Sequence, residues 1–251
     1  MKIDSVKLAA QADLVLITVE MLQSPLLADA AESPWYELPS PLLDDLLQVA
    51  LGRTADNPEE PAKRPSPRAA FADVVRCGRK LEKSAWCDEY SRLFDGAVAC
   101  PLNQASYIRR DKGKILGDLC GFYRAFGFQS GSKHGERPDH LLCQLEFVAM
   151  LLALASRAPD EASYEIVTEA LGKYTCDHVH DWLPAACWMM CEETQLEYFA
   201  AVAQWVTVLW HSLTELHNWP IDPLPEGHLK PIVDPEDPYE CGAPDLHQIQ
   251  T

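Results

Sequence analysis

The stretch DHLLCQLEFVAMLLALAS, residues 139–156, and its later counterpart FAAVAQWVTVLWHSLTEL, residues 199–216, decide the fold. Both are apolar around most of a helical circumference, and neither shows the strict alternation of a half-buried strand. Helices of this kind belong at the centre of a bundle, enclosed by amphipathic ones. Helical periodicity also dominates the rest of the chain, so an all-α multi-helix bundle follows.

Outward from these two segments, Val6 to Leu22 reads as an opening helix. Ser40-Pro41 begins a short one to Leu51, with Ser40 as N-cap, Pro41 at the first helical position and Gly52 closing it. Thr54 to Pro67 carries four prolines among charges and reads as a loop. Helical pattern resumes from Ala69 to Phe94 and breaks near Gly96. Another helix is expected from about Lys114 to Phe126, then a hinge over residues 127–138. Ala162 to Trp182 contains one or two helices, and Pro184 starts a further stretch. The chain is thus expected as one helical domain with an N-terminal lobe at about 1–126 and a C-terminal lobe at 139–219. An extended, acidic, Pro-rich tail over 220–251 follows.

Lys plus Arg is 21 and Asp plus Glu is 38, a net charge of −17. That charge repels phosphate backbones, which argues against nucleic acid, and it favours basic partners. The longest apolar run, Phe199 to Trp210, is interrupted by Gln204 and is shorter than the roughly twenty residues a membrane span needs. Met1 to Gln23 contains Asp4, Lys7 and Asp13 and does not read as a secretory signal, so the cytoplasm is the expected location. Nine cysteines, an odd number lying mostly in apolar helical patterns, fit free thiols better than a disulfide framework. Cys187 and Cys191 share one helix face but lack two further ligands for zinc.

Catalytic chemistry finds little support. No nucleophile elbow, phosphate loop, dinucleotide fingerprint or paired Glu-x-x-His motif occurs. Asp177-His178-Val179-His180-Asp181 resembles a metal cluster, and a metal-dependent enzyme built on Asp177, His178 and His180 is the rival reading. On a helix, however, His178 and His180 point about 200° apart, so hydrogen bonding at a helix end beside Trp182 is the simpler role. Arg109-Arg110 lies mid-chain with no apolar segment after it and cannot act as an export signal. No catalytic residue, metal or cofactor is expected.

Two clusters remain. Glu136-Arg137-Pro138-Asp139-His140 precedes an apolar helix; ordinary helix-start grammar explains Pro138 and Asp139 but not Glu136 or His140. Tyr90, Leu93 and Phe94 share one helix face, either as core or as a groove for an apolar segment. These stretches occur in a definite order: Tyr90-x-x-Leu93-Phe94, Gly117-Asp118-Leu119-x-Gly121-Phe122-Tyr123, Glu136-x-x-Asp139-His140-Leu141, Glu146-Phe147 and His180-x-Trp182-Leu183-Pro184. In that order and spacing the chain resembles the TorD family of maturation chaperones for molybdenum oxidoreductases, with its DmsD-like and NarJ-like groups. The order Arg137-Pro138 within the hinge motif resembles the branch serving type II enzymes of the dimethyl sulfoxide reductase class.

The resemblance implies a fold of about ten helices and a partner: the immature catalytic subunit with its twin-arginine leader. Export would be held back until the cofactor is inserted. It places partner binding at Tyr90, Leu93, Phe94, Pro101, Tyr107, Gly117, Asp118, Glu136, Arg137, Pro138, Asp139 and His140. Glu136 and Asp139 would meet the partner's arginines as free carboxylates, His140 would order the hinge, and the aromatic cluster with Pro101 would receive the leader's apolar part. A monomer or a lobe-exchanged homodimer would both serve.

Overall fold

The computed structural model describes residues 4–25, 35–37, 39–52, 65–95, 99–129, 137–221 and 227–229. Among these are ten α-helices and no strand, only two isolated bridging pairs. The helices are α1 (Ser5–Leu22), α2 (Ser40–Leu51), α3 (Pro67–Gly78), α4 (Lys83–Phe94), α5 (Gln104–Tyr107), α6 (Lys112–Ala125), α7 (Leu141–Ser156), α8 (Glu161–Thr175), α9 (Leu183–Glu193) and α10 (Glu197–His217). Among the described residues no helix is long and apolar enough to cross a membrane.

The two apolar segments are the central helices, as their composition requires. α7 buries Leu141, Leu145, Phe147, Val148, Leu151 and Leu152, and α10 buries Phe199, Val202, Trp205, Val206 and Leu209. α1 lies along α7, and α3 lies along α10, so helices from both sides of residues 127–138 share one apolar core. The lobes drawn from the sequence therefore interleave in their packing. Several polar groups inside that core are matched in pairs. The Trp205 indole donates to Thr18 Oγ1 at 2.9 Å, Tyr198 donates to the Met21 carbonyl at 2.9 Å, and Gln11 Nε2 donates to the Ala50 carbonyl at 3.0 Å. Each bond joins α1 to a helix distant in sequence, and burial makes every one expensive to leave unmade.

Local start and stop signals act where side chains can reach. Asp4, Ser66, Asp111 and Asp160 each accept a backbone N–H of the first turn that follows. α2 departs from the expected grammar: Pro39 holds the cap position, Ser40 is already helical, and no side chain caps the helix. Gly52 closes it at φ +60°, a conformation that favours glycine. The expected single pattern from Ala69 to Phe94 is two helices. α3 stops at Gly78, where a Cβ would press to 3.2 Å of the Tyr36 ring, and Arg79 Nε then donates to the Tyr36 carbonyl at 3.0 Å. A π-helical turn, Cys176–His180, joins α8 to α9.

The break near Gly96 and most of the Thr54–Pro67 loop fall outside the described residues. Of the hinge, residues 127–129 and 137–138 are described, and Phe128 packs against Tyr123 and Phe147. Of the tail beyond Ile221, only 227–229 is described. There Leu229 bridges Ile108, and Arg109 N donates to the His228 carbonyl at 2.8 Å.

Candidate partner-binding site

Three of the motifs named above meet in space around Asp139. Its backbone carbonyl accepts from Gln104 N at 2.9 Å, while Leu141 N donates to the Leu102 carbonyl at 2.8 Å. These bonds stitch the segment before α7 onto the segment before α5. The Asp139 side chain completes the seam. Its carboxylate accepts from Ala105 N at 3.2 Å, Asn103 Nδ2 at 3.3 Å and Arg137 Nη2 at 2.8 Å. An aspartate oxygen on a backbone N–H of a helix's first turn is a capping contact; here the cap comes from a residue 34 positions away.

Asp139 is therefore fully buried and already neutralised. The expectation of a free docking carboxylate is corrected at this position, because the partner it would have awaited is internal. Glu136, the other expected acid, lies outside the described residues. Arg137 is half-exposed and spends its guanidinium on Asp139. The Pro138 carbonyl accepts from the Tyr123 hydroxyl at 2.7 Å, and that hydroxyl lies 3.1 Å from Tyr174 Oη. Burial pushes the pKa of both tyrosines up, so they remain donors. His140 Nδ1 accepts from Leu142 N at 3.3 Å and caps α7.

A buried polar chain continues inward. Gln144 Nε2 donates to Gln104 Oε1 at 2.9 Å, and the Trp182 indole donates to Gln144 Oε1 at 3.2 Å and to the His178 carbonyl at 2.7 Å. Trp182 also stacks on Tyr107, with centroids 5.4 Å apart. The motifs thus form one joint between α5, α7 and the π-helical turn.

The aromatic cluster is core rather than groove at three of its positions. Tyr90, Leu93 and Tyr107 are buried. Tyr107 sits among Cys100, Met189 and Trp182, and Tyr90 packs on Phe94 and Phe199. Phe94 and Pro101 are partly exposed, while Gly117 and Asp118 are exposed on α6. Beside those two lies a groove of about 480 Å³ between α6 and the turn after α8.

Asp177 bonds Lys173 at 2.6 Å. His178 is buried against Phe122 and Tyr174, and burial pushes its pKa down to about 4. Among the described residues, no three His, Cys, Asp or Glu side chains gather as metal ligands would. The eight described cysteines are free thiols, and burial pushes Cys100 and Cys187 up to about 12.

One acid escaped the sequence reading. Glu89, next to the Tyr90 motif, is buried and accepts from Arg92 Nε at 2.8 Å, Thr194 Oγ1 at 3.0 Å and Gln195 N at 2.5 Å. It ties α4 to the α9–α10 turn, and Arg92 holds its carboxyl below the usual range against the opposing effect of burial. Asp181 faces Arg110 at 3.5 Å; burial pushes its carboxyl up and Arg110 opposes this. An acid directly before the Tyr90 aromatic face was the one local signal for Glu89; its partners a hundred residues on left none.

A family model described as nitrate reductase delta subunit matches residues 58–187, more than half of the chain. The matched span holds every motif from Tyr90 to Leu183. A search of curated proteins finds no match.

Proposed function

The chain belongs to the nitrate reductase delta subunit family, a family of molybdoenzyme maturation chaperones, and from that premise we propose how it works. It binds the immature catalytic subunit of a molybdenum oxidoreductase together with its twin-arginine leader, in the cytoplasm, and holds back export until the molybdenum cofactor is in place. The observation that carries this reading is the family match across the joint built on Asp139, Tyr123 and Trp182.

The net charge of −17 supports encounter with a basic leader. Phe94, Pro101, Gly117, Asp118 and Arg137 are accessible members of the proposed partner-binding set. Asp139, Pro138 and His140 act behind them, by fixing the joint on which the accessible residues are carried. The order Arg137-Pro138 supports a client of the type II dimethyl sulfoxide reductase class. A flexible leader held by one or two charge-assisted bonds and an apolar anchor would bind with roughly micromolar affinity, as a chaperone that must release its client requires.

The test is purification of the chain from its host with molybdenum cofactor synthesis blocked and restored. The catalytic subunit should accompany it while cofactor is missing and leave once cofactor is supplied. A chain that stays stoichiometric in the finished enzyme would be a structural subunit, and the chaperone reading would fail.

A further inference from the structure

Four of the chain's 21 cations, Arg109, Arg110, Lys112 and Lys114, fall within six positions, and no other six consecutive residues hold as many. All four are exposed at the corner where α5 gives way to α6. Arg110 reaches Asp181, whereas Arg109, Lys112 and Lys114 have no ion pair among the described residues. Asp111, the acid between them, is committed to capping α6 through Lys114 N at 2.9 Å.

Helix-start energetics do not explain the cluster. Lys112 and Lys114 stand in the first turn of α6, which contains no acid, and a cation there opposes the positive end of the helix dipole. Like charges gathered at one corner also repel one another, and an anion seated among them relieves both effects.

A second observation says which anion. After α10 the chain returns to this corner. Pro220 lies against Gly172 of α8, and 227–229 is pinned beside α5 by the Ile108–Leu229 bridge and the bond from Arg109 N to the His228 carbonyl. From Leu229 the sequence runs on as KPIVDPEDPYECGAPDLHQIQT, residues 230–251, with five acids after Lys230 and no further Lys or Arg. Residues 230–233 span at most about 14 Å, so Asp234, Glu236, Asp237 and Glu240 are tethered within reach of the four cations.

A tether this short holds them at an effective concentration of about 1 mM, which an acidic segment of a separate protein would have to match. An anionic membrane would present a plane of negative charge to a molecule of net charge −17 and repel the rest of it. A short acidic stretch meets the cationic corner alone.

We propose that the acidic stretch 234–240 of this chain docks in cis on Arg109, Arg110, Lys112 and Lys114. The tail is a tethered competitor: an acidic ligand gains this corner only by displacing it. The contact involves no client, so it stands or falls separately from the chaperone reading.

The test uses the full chain throughout. A tail-neutral variant carries Asp234→Asn, Glu236→Gln, Asp237→Asn and Glu240→Gln, and the probe is a fluorescein-labelled peptide of residues 231–240, PIVDPEDPYE. Anisotropy is read at about 10 mM salt, where charges are felt over about 30 Å. The tail-neutral variant should bind the peptide with a Kd of about 0.1 mM, and the wild type at least tenfold more weakly, because its own tail at about 1 mM fills the corner. Adding Lys112→Glu and Lys114→Glu to the tail-neutral variant should abolish binding without lowering the melting temperature, since acids suit a helix N-terminus. Amide resonances of residues 109–114 should differ between wild type and tail-neutral variant at low salt and coincide near about 1 M salt, where screening acts within about 3 Å.

Equal affinity of the peptide for wild type and tail-neutral variant would leave the corner open to acidic segments of other proteins and refute the cis contact. It is refuted as well if the peptide binds neither chain, if the two lysine reversals leave binding intact, or if the 109–114 resonances are the same in both chains at low salt. Equal capture of both chains by phosphatidylglycerol vesicles, lost on the lysine reversals, would make a lipid surface the occupant instead.

Discussion

Replacing Asp139 with asparagine keeps the shape of the side chain and removes its charge, and the structure sets the consequence. The carboxylate accepts three hydrogen bonds, from Ala105 N, Asn103 Nδ2 and Arg137 Nη2. An amide has a single acceptor oxygen, so its nitrogen must face one of these donors. Arg137 is half-exposed and recovers solvation when released, which limits that loss. Ala105 N and Asn103 Nδ2 lie deeper, and a buried donor left without an acceptor costs about 1–3 kcal/mol.

Losing the charge-assisted character of what remains adds to this, so a total of about 2–4 kcal/mol is expected for Asp139→Asn. With a urea m-value of about 2–3 kcal/mol/M for a chain of this size, the midpoint should fall by roughly 1 M at unchanged slope. Tryptophan fluorescence is a suitable probe, since Trp182 lies on the same polar chain. The leader-binding affinity of the folded fraction should change little. The reasoning is refuted if Asp139→Asn unfolds within 0.2 M of the wild type while binding is abolished. That pattern would make Asp139 a docking acid after all.

Glu89→Ala should destabilise by about 3 kcal/mol, because it strands Arg92 and unties Thr194 and Gln195; equal urea midpoints would contradict this. Since Arg92 lowers the Glu89 pKa in the folded state, its contribution is full above the unfolded value near 4.3 and fades as pH falls through the folded value. The gap between wild type and Glu89→Gln should therefore narrow below pH 4 in thermal melts. Burial lowers the pKa of both His178 and His217 to about 4, so the unfolded chain binds more protons between 6.5 and 4. Stability should be full above pH 6.5 and fall as pH drops toward 4, and ring ¹⁵N spectra should show both imidazoles neutral at pH 5. A neutral-thiol reagent should label exposed Cys191 in the native chain, with Cys100 and Cys187 reacting only on unfolding.

What the sequence determined by itself is what its neighbours along the chain control. The apolar girth of 139–156 and 199–216 marked the two central helices, because helical burial repeats every three to four residues. Gly52 marked the end of α2 by the conformation it alone takes easily. The single helical pattern expected from Ala69 to Phe94 breaks at Gly78, which lies under the Tyr36 ring of a segment distant in the chain.

Tertiary structure alone decided the chemical state of the side chains. Each acid has one arginine close by in the chain, but two of the three donors to Asp139 sit 34 to 36 positions upstream, and Thr194 and Gln195, which hold Glu89, lie more than a hundred positions downstream. Tyr90, Leu93 and Tyr107 carry a pattern that serves a core or a groove equally well, and only the packing of α9 and α10 chose the core. A helix is specified by groups a few residues apart, whereas a charge is satisfied by whatever folding brings within 3 Å, and that distance is not written along the chain.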